Sequence, residues 1–264
     1  MASNLSSRRQ IRPVDAAGLD RSDPAADSQA RPARPAPSHF TAATDFLGQL
    51  DPADRKDLLN LARRIAVNKG RFVYRTGDRK RAAYILLRGR VKVFKETFEG
   101  REVILWFCFP GEIFGMAPVP EGKGRQVNTQ ACEDSEIAVI GDADFDRFLN
   151  DRPRVSRLCI RAMSARLGVL SKILVYLVSD DAHTRIAKLI LQLGARYGVK
   201  SGRQTLIQMP LTHQEIADMT GANRQTVTRI LGDLRREGAL TIVNRRIRIE
   251  SAELLNNAVR KAAR

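Results

Sequence analysis

One stretch restricts what this chain can fold into more than any other: Leu211-Thr-His-Gln-Glu-Ile-Ala-Asp-Met-Thr-Gly-Ala-Asn-Arg-Gln-Thr-Val-Thr-Arg-Ile-Leu231. Thr212 can cap a first helix, with Glu215 three positions on as its capping-box partner. Ile216, Ala217 and Met219 supply a buried face, and Ala217 is small enough for a second helix to cross closely. Gly221 supplies the left-handed conformation that a three-residue bend needs. Asn223 can cap the second helix, whose inner side is Val227, Ile230 and Leu231. Arg224, Gln225, Thr228 and Arg229 are left on the outer face. This spacing predicts two helices meeting at a fixed angle, with a cationic face on the second. Arginine pairs bidentately with guanine O6 and N7, and glutamine with adenine N6 and N7. A helix spanning 223–236 therefore has the chemistry of a DNA-reading helix in a major groove.

The charge distribution agrees. The 264 residues hold 45 Lys and Arg against 29 Asp and Glu, a formal net charge of +16. Residues 182–264 hold 15 Lys and Arg against 6 Asp and Glu, so +9 of that excess sits in under a third of the chain. Such an imbalance favours a polyanionic partner. Three cysteines, Cys108, Cys132 and Cys159, are too few and too far apart for a disulfide scaffold or a C-x-x-C metal pair, and they suit a reducing cytosol. No apolar run is long enough for a transmembrane helix and no secretory signal is seen, so a cytoplasmic protein with no membrane partner is expected.

Upstream, the texture divides the chain. Residues 1–40 hold five of the eleven prolines and few large apolar side chains, which predicts a disordered arm. Asp51-Pro52 followed by Leu58, Leu59, Ala62 and Ile65 predicts a helix ended by Gly70. The runs 84–87, 91–94, 103–107 and 137–140 are β-rich and separated by glycines, which predicts an antiparallel sandwich or barrel. From Arg154 to Ser179 one helix is expected. Its stripe of Val155, Leu158, Ala162, Ala165, Val169, Ile173, Tyr176 and Leu177 is read as a coiled-coil dimer seam. His183 to Leu193 is amphipathic, Gly194 to Gln204 reads as a loop, and Leu240 to Ile249 as a hairpin around Asn244. The expected divisions are an arm (1–40), a sensor domain (41–152), a dimerisation helix (153–180), a DNA-binding domain (181–255) and a tail (256–264).

In order along the chain, Arg75-Thr-Gly-Asp78, Tyr84-Ile-Leu-Leu-Arg-Gly89, Arg90-Val-Lys-Val93, Gly100-Arg-Glu102, Pro110-Gly-Glu-Ile-Phe-Gly115 and the Thr212–Leu231 unit resemble the catabolite-activator / fumarate–nitrate regulator (CRP/FNR) family of bacterial transcription regulators. The resemblance covers residues 71–255. It implies an α+β architecture: a cyclic-nucleotide-binding-type antiparallel β-roll, a long dimerisation helix and a C-terminal winged helix-turn-helix. It implies a homodimer on a two-fold symmetric operator, with half-sites about 34 Å apart. By position, Arg224, Gln225 and Arg229 match base-reading residues. His213, Gln214, Asn223 and Thr226 match phosphate contacts, Thr228 joins the outer face, and Arg245 and Arg246 sit in the wing. The 194–204 segment lies where relatives touch RNA polymerase. Gln225 stands where glutamate is frequent in the family, so the half-site is expected to differ at that step.

For an effector, the segment after Phe114 nominates Gly115, Met116, Lys123, Arg125 and Gln126. Met116 replaces the glutamate, and Gln126 the hydroxyl residue, that cyclic-AMP-binding relatives carry. A small anionic effector other than cyclic AMP is therefore expected, or none. No Cys occurs before residue 108, which argues against an iron–sulfur cluster, and no histidine lies in the sensor, which argues against haem. Asp142-x-Asp144-x-Asp146 lacks the glycine and final carboxylate of a calcium loop and reads as a helix start. No catalytic constellation is found, so the chain is not read as an enzyme. The competing reading is a nonspecific basic nucleic-acid-binding protein with a vestigial sensor.

Overall fold

A computed structural model describes residues 45–116 and 124–261. The proline-rich segment 1–40, Lys123 and residues 262–264 lie outside them.

The elements begin with helices α1 (Phe46–Gln49) and α2 (Pro52–Asn60), then strands β1 (Arg63–Val67) and β2 (Phe72–Tyr74). The helix expected to continue through Ile65 stops at Asn60. Beyond it, Ile65 and Val67 alternate with exposed residues, and Arg63–Val67 pair antiparallel with a distant strand, Ile65 opposite Ile137. The competing factor is a two-residue period that only pairing reveals.

The four β-rich runs are strands: β3 (Ala82–Arg88), β4 (Val91–Glu96), β5 (Glu102–Cys108) and β8 (Ser135–Gly141), with short β6 (Ile113–Phe114) and β7 (Asn128–Ala131) between. They form two antiparallel four-stranded sheets, ordered β1-β8-β3-β6 and β2-β7-β4-β5. Tyr84, Leu86, Val91, Val93, Phe114 and Ile137 fill the space between the sheets. On the other face of β3 and β8, Ala83, Ile85, Ala138 and Ile140 pack under Phe46, Leu58, Phe145, Phe148 and Val155 from the helices. Burial on both faces explains why these strands read as continuous apolar runs rather than alternating ones.

Helix α3 (Asp142–Asp151) carries Asp142 and Asp144 in its first turn, where acids favour the helix dipole. Helix α4 (Pro153–Ser179) follows. Its expected seam is turned inward. Val155 and Ala162 are buried in the roll's helical core and Leu158 packs against it. Val169, Ile173 and Tyr176 face β5 and the next helix. A second ladder points away: Ile160, Met163, Leu167 and Leu174 are exposed, with half-buried Leu170 completing the alternation of three and four, while Leu177 lies beside Gly221.

The C-terminal region comprises α5 (Ala182–Tyr197), β9 (Gly198–Ser201), β10 (Gln204–Ile207), α6 (His213–Thr220), α7 (Arg224–Arg236), β11 (Leu240–Val243), β12 (Arg246–Ile249) and α8 (Ala252–Lys261). Its sheet order is β11-β12-β10-β9. The expected loop from Gly194 is instead helix and hairpin. A Cβ on Gly194 would fall 2.5 Å from Ile249 Cδ1, so glycine here permits close packing rather than ending the helix. The core of this region continues onto the outer face of the second roll sheet through Phe94, Ile104 and Phe107. The fold is thus the expected antiparallel roll, long helix and winged helix-turn-helix.

Candidate nucleic-acid interface

The two-helix unit is built by local hydrogen bonds. Thr212 Oγ1 accepts from the Glu215 amide at 3.0 Å, and Glu215 Oε2 accepts from the Thr212 amide at 2.8 Å, a complete capping box. Gly221 adopts φ +67°, and Asn223 Oδ1 accepts from the Thr226 amide at 2.7 Å to open α7. Val227, Ile230, Leu231 and Leu234 bury one side of α7. Arg224, Gln225, Thr228 and Arg229 are exposed on the other.

The exposed side chains differ in what already holds them. Among the described residues Arg229 pairs with Asp233 alone, at 3.4 Å, its side chain 69% exposed. Such a bond is cheap to exchange for a base or phosphate. Thr228 Oγ1 donates to the Arg224 carbonyl at 2.9 Å and lies 2.8 Å from His213 Nδ1, which ties the start of α6 to α7. Gln214 donates to Asp218 at 2.8 Å, and partial burial raises the Asp218 carboxyl. Beyond α7, β11 and β12 are joined through Asn244 and Arg245 at φ +51° and +62°, the backbone of a two-residue hairpin turn. The Arg245 carbonyl accepts from the Leu211 amide at 2.8 Å, so the wing tip is fastened to the entrance of α6. Arg245 and Arg246 are exposed.

Two residues that the sequence places in the roll motifs, but does not nominate for a site, tie the helical regions to the roll. Arg90, in the turn after Gly89, is buried over the Phe107 ring and reaches Glu215 Oε1 at 3.3 Å and Glu133 at 3.4 Å. Glu112, also buried, accepts from Arg196 of α5 at 2.9 Å and lies 4.0 Å from Arg166 of α4. Neither has a local sequence signal, since every partner is distant in the chain.

Of the residues nominated for an effector, those that are described are used internally. Arg125 is 4% exposed. Its guanidinium donates to the carbonyls of Gly115 (2.5 Å), Ala82 (2.8 Å) and Lys80 (3.1 Å) and lies 4.6 Å from the Tyr74 ring centroid. Burial raises Tyr84 and pushes Tyr74 up to about 12. Met116 packs against the helical core, and the Gln126 amide donates to the Gly124 carbonyl at 3.0 Å. Lys123 lies outside the described residues. The cysteines are free thiols, pushed by burial up to about 12 (Cys108 and Cys159) and about 11 (Cys132), which leaves little thiolate at neutral pH. Among the described residues no helix is long and apolar enough to cross a membrane.

Comparison with known proteins places this geometry. Residues 64–152 match the cyclic nucleotide-binding domain and residues 184–258 the Crp-like helix-turn-helix domain. A CRP-like cAMP-activated global transcriptional regulator from Mycobacterium tuberculosis is 30% identical over 194 residues, 73% of this chain and 86% of that protein. The nitrogen fixation regulation protein FixK of Bradyrhizobium diazoefficiens is 28% identical over 200 residues, covering 74% and 81%. Among solved structures, a CooA variant from Carboxydothermus hydrogenoformans superposes with a TM-score of 0.68 at 26% identity, covering 76% of this chain and 89% of that one. With its roll, its capped two-helix unit and its wing in this order, the chain belongs to the CRP/FNR family of transcription regulators, which bind DNA through their helix-turn-helix.

Proposed function

We propose that the protein is a cytoplasmic homodimer that reads a palindromic operator and contacts RNA polymerase there. Arg224, Gln225 and Arg229 read bases. His213, Gln214, Asn223, Thr226 and Thr228 contact the backbone, and the wing arginines Arg245 and Arg246 lie along the adjacent phosphates. The observation that carries this is the outer face of α7, where exposed Arg224 and Arg229 project opposite the buried Val227, Ile230, Leu231 and Leu234.

The subunits join through Ile160, Met163, Leu167, Leu170 and Leu174. Their heptad spacing, together with the 66% and 63% exposure of Leu167 and Leu174, supports that reading. Five working divisions follow: the arm at 1–40, the sensor at 41–152, the dimer helix at 153–180, the DNA-binding domain at 181–255 and the tail at 256–264.

Cyclic AMP is not the effector, although the Mycobacterium relative is named for it. Met116 offers no acceptor for a ribose hydroxyl, and the arginine nominated for a phosphate, Arg125, is spent on carbonyls.

Operator selection from random DNA, paired with sedimentation of the free protein, tests the whole reading. An inverted repeat and a dimer are expected. Leu167→Lys combined with Leu174→Lys should yield a monomer whose operator affinity is about 10²–10⁴ lower, as the second half-site no longer counts. A monomeric wild type, or enrichment of no repeat, overturns it and leaves the nonspecific binder.

A further inference from the structure

His213 and Thr228 meet where the first turn of α6 touches α7, and the bonds around them fix where the imidazole keeps its proton. Thr228 Oγ1 lies 2.9 Å from the Arg224 carbonyl and 2.8 Å from His213 Nδ1. A hydroxyl has one hydrogen and a carbonyl can only accept, so the Thr228 hydrogen goes to Arg224. The second contact is then a hydrogen bond only if Nδ1 donates. This network assigns the ring hydrogen to Nδ1 and leaves a bare lone pair on Nε2. Among the described residues the ring has no other partner.

A neutral ring in this tautomer is a poor match for DNA. Nε2 offers a lone pair, and a phosphate oxygen offers lone pairs and negative charge. Protonation at Nε2 makes it a charged donor while the Nδ1–H bond to Thr228 stays in place. The dipole at the start of α6 opposes a cation there and attracts an anion, so charging the ring and docking a phosphate favour each other. We infer that His213 contacts the operator backbone only as the imidazolium, so that each half-site takes up a proton as it closes on DNA and acid strengthens binding. This deepens the DNA-binding reading and rests on it.

The carboxylates on the surrounding elements are bonded elsewhere. On α6 itself, Glu215 is engaged by the Thr212 amide and by Arg90 of the roll, and Asp218 by Gln214. Asp233 of α7 pairs with Arg229 and Arg236, and Glu102 of β5 with Lys92 of β4. The cations on these elements include Arg224 of α7 and Arg245 and Arg246 of the wing. Arg185 of α5 is bonded to Thr220, at the far end of α6. Imidazole is the side chain whose charge ordinarily changes between pH 5 and 8. Because partial burial raises the Asp218 carboxyl toward that interval, the test varies His213 itself.

The test is titration of full-length protein with the selected inverted repeat at pH 6 and pH 8, for wild type, His213→Gln and His213→Arg. Wild-type affinity should be about 10- to 100-fold higher at pH 6, each half-site gaining one charge-assisted hydrogen bond at about tenfold. Each imidazolium also neutralises one more phosphate, so log K against log salt should steepen by about 0.9 per half-site at pH 6. His213→Gln should lose most of both differences. His213→Arg, a permanent cation, should bind at pH 8 about as tightly as wild type does at pH 6. Calorimetry in buffers of different ionisation enthalpy counts the protons, and wild type should take up as many as about one per protomer more than His213→Gln. Equal wild-type affinity at the two pH values, or a pH difference that survives intact in folded His213→Gln or His213→Arg, overturns the inference and leaves the DNA-binding reading standing. Enrichment of no inverted repeat at either pH overturns both.

Discussion

Two arginines, one on α7 and one beside the roll's β7 strand, were both nominated from sequence as ligand contacts, and the structure gives them opposite situations. Arg229 stands largely in solvent, with a solvent-screened contact to Asp233 at 3.4 Å. Arg125 is enclosed between Tyr74 and Tyr84, its guanidinium divided among three backbone carbonyls. The difference is one of prior commitment. A guanidinium that already satisfies buried acceptors cannot leave them for a ligand without orphaning them, whereas an exposed ion pair exchanges partners at almost no cost. Charge in a sequence marks a candidate; the acceptors around it decide whether that charge is structural or available.

Four measurements would break or sharpen this contrast. Arg125→Ala should cost about 3–5 kcal/mol of stability, because buried carbonyls lose a donor at about 1–3 kcal/mol each. Denaturant unfolding reads it directly, and an unchanged midpoint would mean that Arg125 is as available as Arg229. Arg229→Ala should leave unfolding within about 0.5 kcal/mol of wild type and cost roughly 1–3 kcal/mol of operator binding, loosening one base preference. Equal affinity of that variant for every sequence the wild type binds would remove Arg229 from the reading face.

Gly221→Ala tests how rigidly the reading unit is set. At φ +67°, and with Leu177 Cδ2 at 3.1 Å from the new Cβ, about 1–2 kcal/mol of stability should be lost. Operator binding should fall with it, since the angle between α6 and α7 depends on that residue. The smallest effect belongs to Asp181, the cap of α5. Its bond from the Thr184 amide, 2.7 Å long, holds the carboxyl below the usual carboxylate range. A depressed folded-state pKa contributes stability that is present above the unfolded value, near pH 4, and is lost as pH falls through the folded value. Asp181 is largely solvent-exposed, so Asp181→Asn should flatten the acid limb of the stability curve by a fraction of a kcal/mol.

The legible parts of the molecule share a length scale. Thr212 with Glu215, Gly221, and Asn223 with Thr226 act within three or four residues of one another, so the pattern of residue types already contains the geometry. The β3 and β8 runs were readable because burial on both faces leaves residues 84–87 and 137–140 unbroken by polar residues, and the β4 and β5 runs because β-branched and aromatic residues sit between glycine breaks. The long helix was readable as a helix, but not in its facing. Both the inward stripe of Val155, Ala162 and Val169 and the outward ladder of Ile160, Leu167 and Leu174 have helical spacing, and periodicity alone does not say which one its own roll covers.

What this chain's sequence determined by itself is therefore the reading unit with its caps, bend and cationic face, together with the order of roll, helix and winged domain. Those rest on contacts closed by neighbouring residues. Only the tertiary structure decided that Arg125 serves Ala82 and Lys80 across more than forty residues, that Arg90 reaches Glu215, that Arg63–Val67 leave a helix to pair with β8, and which side of α4 stays open. A buried polar group takes its partner from whatever the fold brings within 3 Å, and that distance is not written in any local run of residues.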